Sequence, residues 1–156
     1  MIHLFTVTSF SSRHQVRFIR WYDFTSMPMD MEKRRDLLKD LHDVVDKHLG
    51  IDPNSACSVV LQDNSKDGCL TFTSKHVGKL RFNAVYVCTP ENLFILLTDA
   101  SELPFRYVDF LYECVEALMP VLKTTRIPTD ELLTFNFQKV YNLFDQLIVA
   151  GRIRDT

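Results

Sequence analysis

The chain has 156 residues, enough for one domain, and its 46% hydrophobic and 24% charged residues are ordinary for a globular protein. A net charge of −2 excludes the strong field that favours nucleic acids or membrane surfaces. Four glycines argue against an enzyme built on glycine-rich phosphate loops, and no apolar stretch approaches the roughly 18 residues of a membrane span. We therefore expect a single domain over residues 1–156.

The first two predicted elements are strands. Met1 to Thr8 has the alternation of a strand, and His14 to Tyr22 forms a second strand that pairs with it as a hairpin. The apolar residues begin at the first methionine and no basic n-region precedes them. We therefore expect no removable signal peptide and a cytoplasmic protein.

A helix and a β region follow. The helix opens near Met29 after Pro28, carries an apolar stripe and ends at Gly50. The next β runs are at 57–62, 69–74, 79–87 and 92–97. The first two runs are either one strand with an insertion or two short strands. The last run is almost wholly apolar, which indicates a central strand covered on both faces.

Two more helices complete the pattern. One starts at Pro104, and Pro120 kinks or ends it. The last spans Phe135 to Thr156, with Gly151 predicted as its C-terminal cap, and its apolar stripe is Phe137, Val140, Tyr141, Phe144, Leu147 and Ile148. The order predicts an α+β domain whose antiparallel sheet has the first helix on one face and the last two on the other.

The sequence offers little catalytic chemistry. It contains no HExxH, GxSxG, P-loop or GxGxxG motif, so we expect no metal, no cofactor and no enzyme. Asp99 and Glu102 are interpreted as a helix-entry cluster ahead of Pro104. The segment Asp130 to Leu133 has the letters of an acidic dileucine signal but is interpreted as the lead-in to the last helix.

The four cysteines form no CxxC pair, and buried thiols are the preferred interpretation for Cys57, Cys69, Cys88 and Cys114. A small enzyme that uses Cys88 or Cys114 as its nucleophile is kept as an alternative. It would require an exposed thiol with a lowered pKa.

Several segments, in the same order along nearly the whole chain, resemble one family. The most specific is Phe135-Asn136-Phe137, Lys139-Val140-Tyr141, Asp145 and Ala150-Gly151-Arg152-Ile153-Arg154-Asp155-Thr156, which is similar to FNFxKVYxxxDExxxAGxIxET. Others are Arg17 with Trp21-Tyr22, Leu37-Leu38 with Leu41 to Val45, and Phe110 to Leu118. Together they resemble the small (sigma) subunits of clathrin adaptor-protein complexes.

The resemblance implies a longin-like fold, five antiparallel strands with one helix on one face and two on the other. It also implies a non-catalytic subunit of a heterotetrameric coat, packed directly against a large adaptin-type chain beside a medium chain and a second large chain. Such complexes act in vesicle-mediated protein transport on Golgi, endosomal or plasma membranes, including endocytosis. This chain would then meet a membrane only through its complex and would bind no nucleic acid.

The resemblance also implies site residues. A wall of an acidic dileucine cargo pocket would fall near Pro90, Asn92, Val115, Thr124 and Leu133. Pro90 and Asn92 depart from the small and aliphatic residues of the family, and the region 63–78 is longer than in typical members. Contacts to a partner chain are expected from Trp21, Tyr22, Phe135, Phe137, Tyr141 and Leu143. The alternative is a longin-domain component of another trafficking complex, namely a related coat, a tether or a SNARE regulator.

Overall fold

The structure, a computed structural model, describes residues 1–12, 15–22, 27–50 and 66–154, with the backbone alone for Lys66. The predicted strand at 57–62, with Cys57, lies outside the described residues. The elements along the chain are β1 (Ile2–Ser9), β2 (Val16–Trp21), α1 (Met31–Leu49), β3 (Lys66–Phe72), β4 (Phe82–Cys88), β5 (Asn92–Asp99), α2 (Pro104–Val121), α3 (Asp130–Phe135), α4 (Phe137–Leu147), β6 (Ile148–Val149) and β7 (Arg152–Ile153).

The main sheet has five strands in the order β2-β1-β5-β4-β3, and every neighbouring pair is antiparallel. β5 lies at its centre, as its apolar sequence predicts. β1 pairs with β5 from Ile2 opposite Thr98 to Ser9 opposite Asn92. The first and the last strand of this sheet in chain order are therefore paired with each other in its interior.

Helices cover both faces of this sheet. On β5, Phe94 and Leu96 point to the cluster under α2 and α4, whereas Leu93, Ile95 and Leu97 point to the cluster under α1. All five side chains are buried, because alternate residues of a strand face opposite sides. The predicted α+β architecture, with one long helix on one face and two on the other, is confirmed.

Two helix predictions are confirmed with small shifts. α1 begins two residues later than predicted, where the Asp30 carboxylate caps it by accepting from the Glu32 N–H at 2.9 Å. It ends as predicted at Gly50, whose φ of 76° closes the helix. α2 starts at Pro104 and ends at Val121, one residue beyond Pro120.

The prediction for the last helix is wrong at its end. α3 and α4 are separated at Asn136, and α4 stops at Leu147 instead of reaching a cap at Gly151. Ile148–Val149 and Arg152–Ile153 form a small hairpin whose central residues, Ala150 and Gly151, both have positive φ. The Gly151 carbonyl accepts the Ile2 N–H at 2.6 Å, so this hairpin is tied to the start of β1.

α4 also protects the free edge of β2. The Tyr141 hydroxyl accepts the outward Ile19 N–H at 3.1 Å, and the Tyr141 ring packs on Phe18 at 4.6 Å between centroids. The Arg20 guanidinium lies 4.6 Å from the Tyr141 ring centroid and pairs with Asp145. The unpaired N–H and C=O groups of an edge strand can form hydrogen bonds with other chains. α4 occupies one of these groups, the Ile19 N–H, and so makes such association less favourable.

Gly151→Ala should destabilise the fold, because the new Cβ would lie 2.6 Å from the Ile2 carbonyl oxygen at a φ of 77°. We expect a loss of about 2–5 kcal/mol in the free energy of unfolding, from strain at positive φ plus a backbone clash. Gly50→Ala is the matched control, since Gly50 has nearly the same φ but nothing within 4 Å of its Cβ position. Urea unfolding of both variants measures the difference, and equal losses would contradict this role for the hairpin.

Candidate functional site

A buried polar network fixes the start of α3 to three strands. Asp130 accepts from Arg17 Nε and Nη2 at 2.9 Å each, from Asn92 Nδ2 at 2.9 Å and from Ser9 Oγ at 3.0 Å. Ser9 ends β1, Arg17 lies in β2 and Asn92 begins β5. The Arg17 and Asp130 side chains are only 15% and 10% exposed. This is a two-bond pairing between planar groups, held in one orientation.

The network also sets the ionisation of its carboxylate. Burial alone would raise the pKa of Asp130, but the hydrogen bonds from Arg17, Asn92 and Ser9 outweigh burial and hold the pKa below its ordinary value. The hydrogen bond to Asp130 raises the pKa of Arg17. The pair is therefore ionised at neutral pH, and its donors are directed at the carboxylate. This geometry suits a structural clamp, not proton transfer.

Two phenylalanines at the α3–α4 break are exposed to solvent. Phe135 is 76% exposed and Phe137 is 54% exposed, and we call this pair the aromatic junction. Phe137 was predicted in the apolar stripe of the last helix but lies outside the core. The backbone beneath the pair is fixed, because the Asn136 side-chain amide donates to the Leu132 carbonyl at 2.9 Å and Thr129 caps α3.

The other predicted partner contacts are half-buried inside the fold. Tyr22, Tyr141 and Leu143 pack against the cluster under α2 and α4, and Trp21 packs against the cluster under α1. The Arg34 guanidinium lies 4.8 Å from the Trp21 ring centroid. A contribution of these four residues to a partner interface stays a prediction, and the aromatic junction offers more accessible area.

A small apolar cavity lies between the end of β4 and the middle of α2. Its volume is about 220 Å³, and we call it the apolar slot. The lining residues are Val87, Cys88, Thr89, Tyr112, Val115, Glu116, Met119 and Ile127. Tyr112, Val115, Glu116 and Met119 are spaced by three and four residues, so consecutive turns of α2 bring them to one side.

One of the five predicted cargo residues, Val115, lines the apolar slot. Asn92 is fully buried and donates to Asp130, Leu133 is buried in the core, Pro90 is exposed in the β4–β5 turn, and Thr124 is half-buried after α2. The other four do not line the apolar slot, and the role of all five in cargo binding stays a prediction. The sequence analysis did not single out Tyr112, Glu116, Met119 or Ile127 as site residues.

The two carboxylates before α2 are Asp99 and Glu102. The sequence predicts that they interact with the dipole of this helix, but in the structure they bind other groups. Asp99 accepts from the Met1 amino group at 3.1 Å and lies 2.5 Å from His3 Nε2. Glu102 binds the same amino group and accepts from the Tyr107 hydroxyl. These carboxylates join the beginning of β1 to the segment that leads into α2. This structural role accounts for their arrangement.

The described cysteines do not have the surroundings of a nucleophile. Cys88 and Cys114 are buried, and Cys69 is half-buried. Burial raises the pKa of the Cys114 thiol, whereas a reactive cysteine needs the opposite shift and access to solvent. Among the residues that the structure describes, no cluster of three histidine, cysteine or acidic side chains could hold a metal ion.

Comparison with known protein families gives a match over the whole sequence. A family model described as clathrin adaptor complex small chain matches residues 1–156. The chain belongs to this family. The adaptor small chain is also similar in structure to a chain of a homology model of the full-length AP-3 complex in a stretched open conformation, with a TM-score of 0.56 and 15% sequence identity. That match covers 99% of this chain and 85% of the other, and it supports the longin-like fold.

Asp130→Asn should destabilise the adaptor small chain by roughly 3 kcal/mol, because it leaves the Arg17 charge mostly buried without its counter-ion. Asp145→Asn is the matched control: it breaks another two-bond pair, Arg20–Asp145, whose side chains are 45% and 43% exposed. An exposed pair contributes less than about 1 kcal/mol. Equal losses in chemical unfolding would contradict the importance of burial.

The contribution of Asp130 should also depend on pH. A carboxyl whose folded pKa lies below its unfolded value, roughly 3.9, stabilises the fold above that pH and loses this contribution as the pH falls through the folded pKa. The difference in free energy of unfolding between wild type and Asp130→Asn should be constant near neutral pH and shrink below about pH 4. Unfolding curves from pH 7 to 3 measure it, and a difference that grows on acidification would contradict the assignment.

Proposed function

We propose that this chain is a non-catalytic small subunit of a heterotetrameric clathrin-adaptor-type coat complex that acts in vesicle-mediated protein transport. The observation that carries the proposal is the match of the small-chain family over residues 1–156. The proposed partners are a large adaptin-type chain in direct contact, a medium chain and a second large chain. The whole of residues 1–156 would act as one longin-like domain of that assembly.

The aromatic junction supports direct contact with the large chain. Burying one phenylalanine side chain contributes about 1.5–3 kcal/mol, and Phe135 and Phe137 expose most of this area in the isolated chain. Aromatic residues are enriched in protein interfaces. The capped α3 and the Asp130 network hold the two rings on a fixed backbone, which lowers the entropy lost on binding.

Binding of sorting signals is the second part of the proposal. The apolar slot, with Val115 in its wall, offers a place for apolar side chains of a cargo peptide. A polar pocket would leave such side chains without apolar contacts, so the mostly hydrophobic lining supports this use.

The chain would reach coated vesicles, at Golgi, endosomal or plasma membranes, as a peripheral part of its complex. Within the described residues, no helix is both long and apolar enough to cross a bilayer. Membrane attachment would therefore be assigned to the other subunits and to the assembled coat.

The first test is affinity purification of the tagged chain from its native cytosol, with quantitative mass spectrometry of the recovered proteins. We expect two large chains and one medium chain in amounts equal to the tagged chain. Phe135→Asp and Phe137→Asp should reduce that recovery at least tenfold, which corresponds to about 1.4 kcal/mol of lost interface energy. Thermal unfolding of each purified variant checks that its fold is unchanged.

Phe105→Asp is the matched control, because Phe105 is 78% exposed near the start of α2, away from the α3–α4 break. We expect normal recovery with this variant. Recovery of a tether or a small GTPase in place of large and medium chains would favour another trafficking complex. Full recovery with well-folded Phe135→Asp and Phe137→Asp variants would remove the aromatic junction from the interface.

A further inference from the structure

The one ionisable carboxylate in the lining of the apolar slot is that of Glu116, which is exposed. The other polar groups of the lining are already engaged: the Tyr112 hydroxyl donates to Asp67, and the Thr89 hydroxyl is bonded to the Asn92 backbone. No ion pair joins Glu116 to another described side chain. A ligand in the slot would therefore meet a carboxylate that is paired with no cation among the described side chains.

The surface around the slot is acidic. Asp109, Glu113 and Glu116 are all exposed on α2 and are spaced by four and three residues, so they form one stripe along the helix. Asp67 adds a fourth carboxylate through its bond to Tyr112. Like charges on one face give a shared negative potential that attracts cations and repels anions.

No lysine or arginine occurs between residues 107 and 122 to balance this stripe. Arg106 precedes Glu116 by ten residues, about 15 Å along the helix axis. Lys123 and Arg126 follow in the next loop, and neither lines the slot. Glu116 is the only lining residue with a formal charge, so the lining itself is negative although the whole chain carries a net charge of only −2.

The volume of the slot limits its occupant. Pockets for small organic ligands measure about 300–1,000 Å³, whereas the slot has about 220 Å³. It suits one or two aliphatic side chains of a peptide better than a whole cofactor. The lining supplies apolar contacts to those side chains, and the acidic stripe selects the charge of their neighbours.

We propose that the apolar slot binds a peptide segment of a partner protein in which a leucine, isoleucine or methionine is flanked by lysine or arginine. This specificity is opposite to that of an acidic dileucine signal, whose carboxylates would face Glu116 and Asp67. The inference rests on the proposed function only in assigning the peptide to cargo, since the charge and shape of the slot do not depend on assembly.

The test is fluorescence anisotropy with the full chain and three labelled peptides: Lys-Arg-flanked leucines, the same leucines flanked by glutamates, and the basic peptide with its leucines replaced by serine. One exposed charge pair changes affinity about 1.5- to 5-fold. With two such pairs, we expect the basic leucine peptide to bind about 2- to 25-fold tighter than the acidic one. This preference should weaken as the salt concentration is raised. The serine peptide should bind least.

Variants separate the two contributions. Glu116→Lys should reverse the order of the basic and acidic peptides, whereas Asp36→Lys, the same charge change on an exposed residue of α1, should leave it unchanged. Ile127→Asp should weaken both leucine peptides, because it places a carboxylate in the apolar wall. A preference for the acidic peptide, equal binding of the serine peptide, or an unchanged order with Glu116→Lys would overturn the inference.

The outcome is independent of the test for assembly. Glu116→Lys should recover the large and medium chains as wild type does, since Glu116 lies outside the aromatic junction. Failure of co-purification with the basic preference intact would contradict the proposed coat subunit and leave the peptide specificity standing. Normal co-purification without a preference for the basic peptide would support the proposed coat subunit and overturn the peptide specificity.

Discussion

The pairing of β1 with β5 is the constraint on which the rest of the structure depends. It joins residues more than eighty positions apart and puts the most apolar strand in the centre of the sheet. A central strand with buried side chains on both faces requires cover from both sides, which α1 provides on one face and α2 with α4 on the other. The ends of β1 are also attachment points: Ile2 binds the hairpin at Gly151, and Ser9 binds Asp130 at the start of α3.

These two attachments hold the segment from α3 to the hairpin at both of its ends. α4 runs between them, from the α3 end to the hairpin, and its buried Val140 and Phe144 pack under it. Phe137 lies seven residues before the buried Phe144, on the same side of the helix, so it is exposed because it is the first residue of α4 and not because it faces away from the core. The exposure of the aromatic junction is thus a consequence of where the break between α3 and α4 falls.

Much of the architecture could be predicted because its signals are local. The apolar run of β5, Gly50 after α1 and Pro104 before α2 each carry their structural meaning within a few residues. The end of the last helix could not be predicted in this way, because its periodic pattern continues to Ile148 while the hydrogen bond that favours the hairpin comes from Ile2. Asn92 shows the same limit: the family resemblance implies a position in a pocket wall, but its amide is directed at Asp130, 38 residues away.

Residue composition alone also conceals the charge of the apolar slot. The net charge of −2 is a sum over the whole chain. α1 carries both basic and acidic residues, whereas the charged residues of α2 beyond Arg106 are all carboxylates. The sum predicts no field, whereas the fold brings the α2 stripe and Asp67 of β3 together beside an apolar cavity. Local potential follows the positions of charges and not their sum.

The two candidate surfaces share one structural support. Ile127, in the wall of the slot, lies three residues before Asp130, and Phe135 lies five residues after it. The Arg17–Asp130 pair therefore restrains the loop that closes the slot and the helix that carries the aromatic junction. Loss of this pair would disturb both surfaces through one cause, so variants in the network cannot distinguish assembly from peptide binding. Only substitutions of exposed side chains beyond the network, whose backbone stays fixed by it, can separate the two.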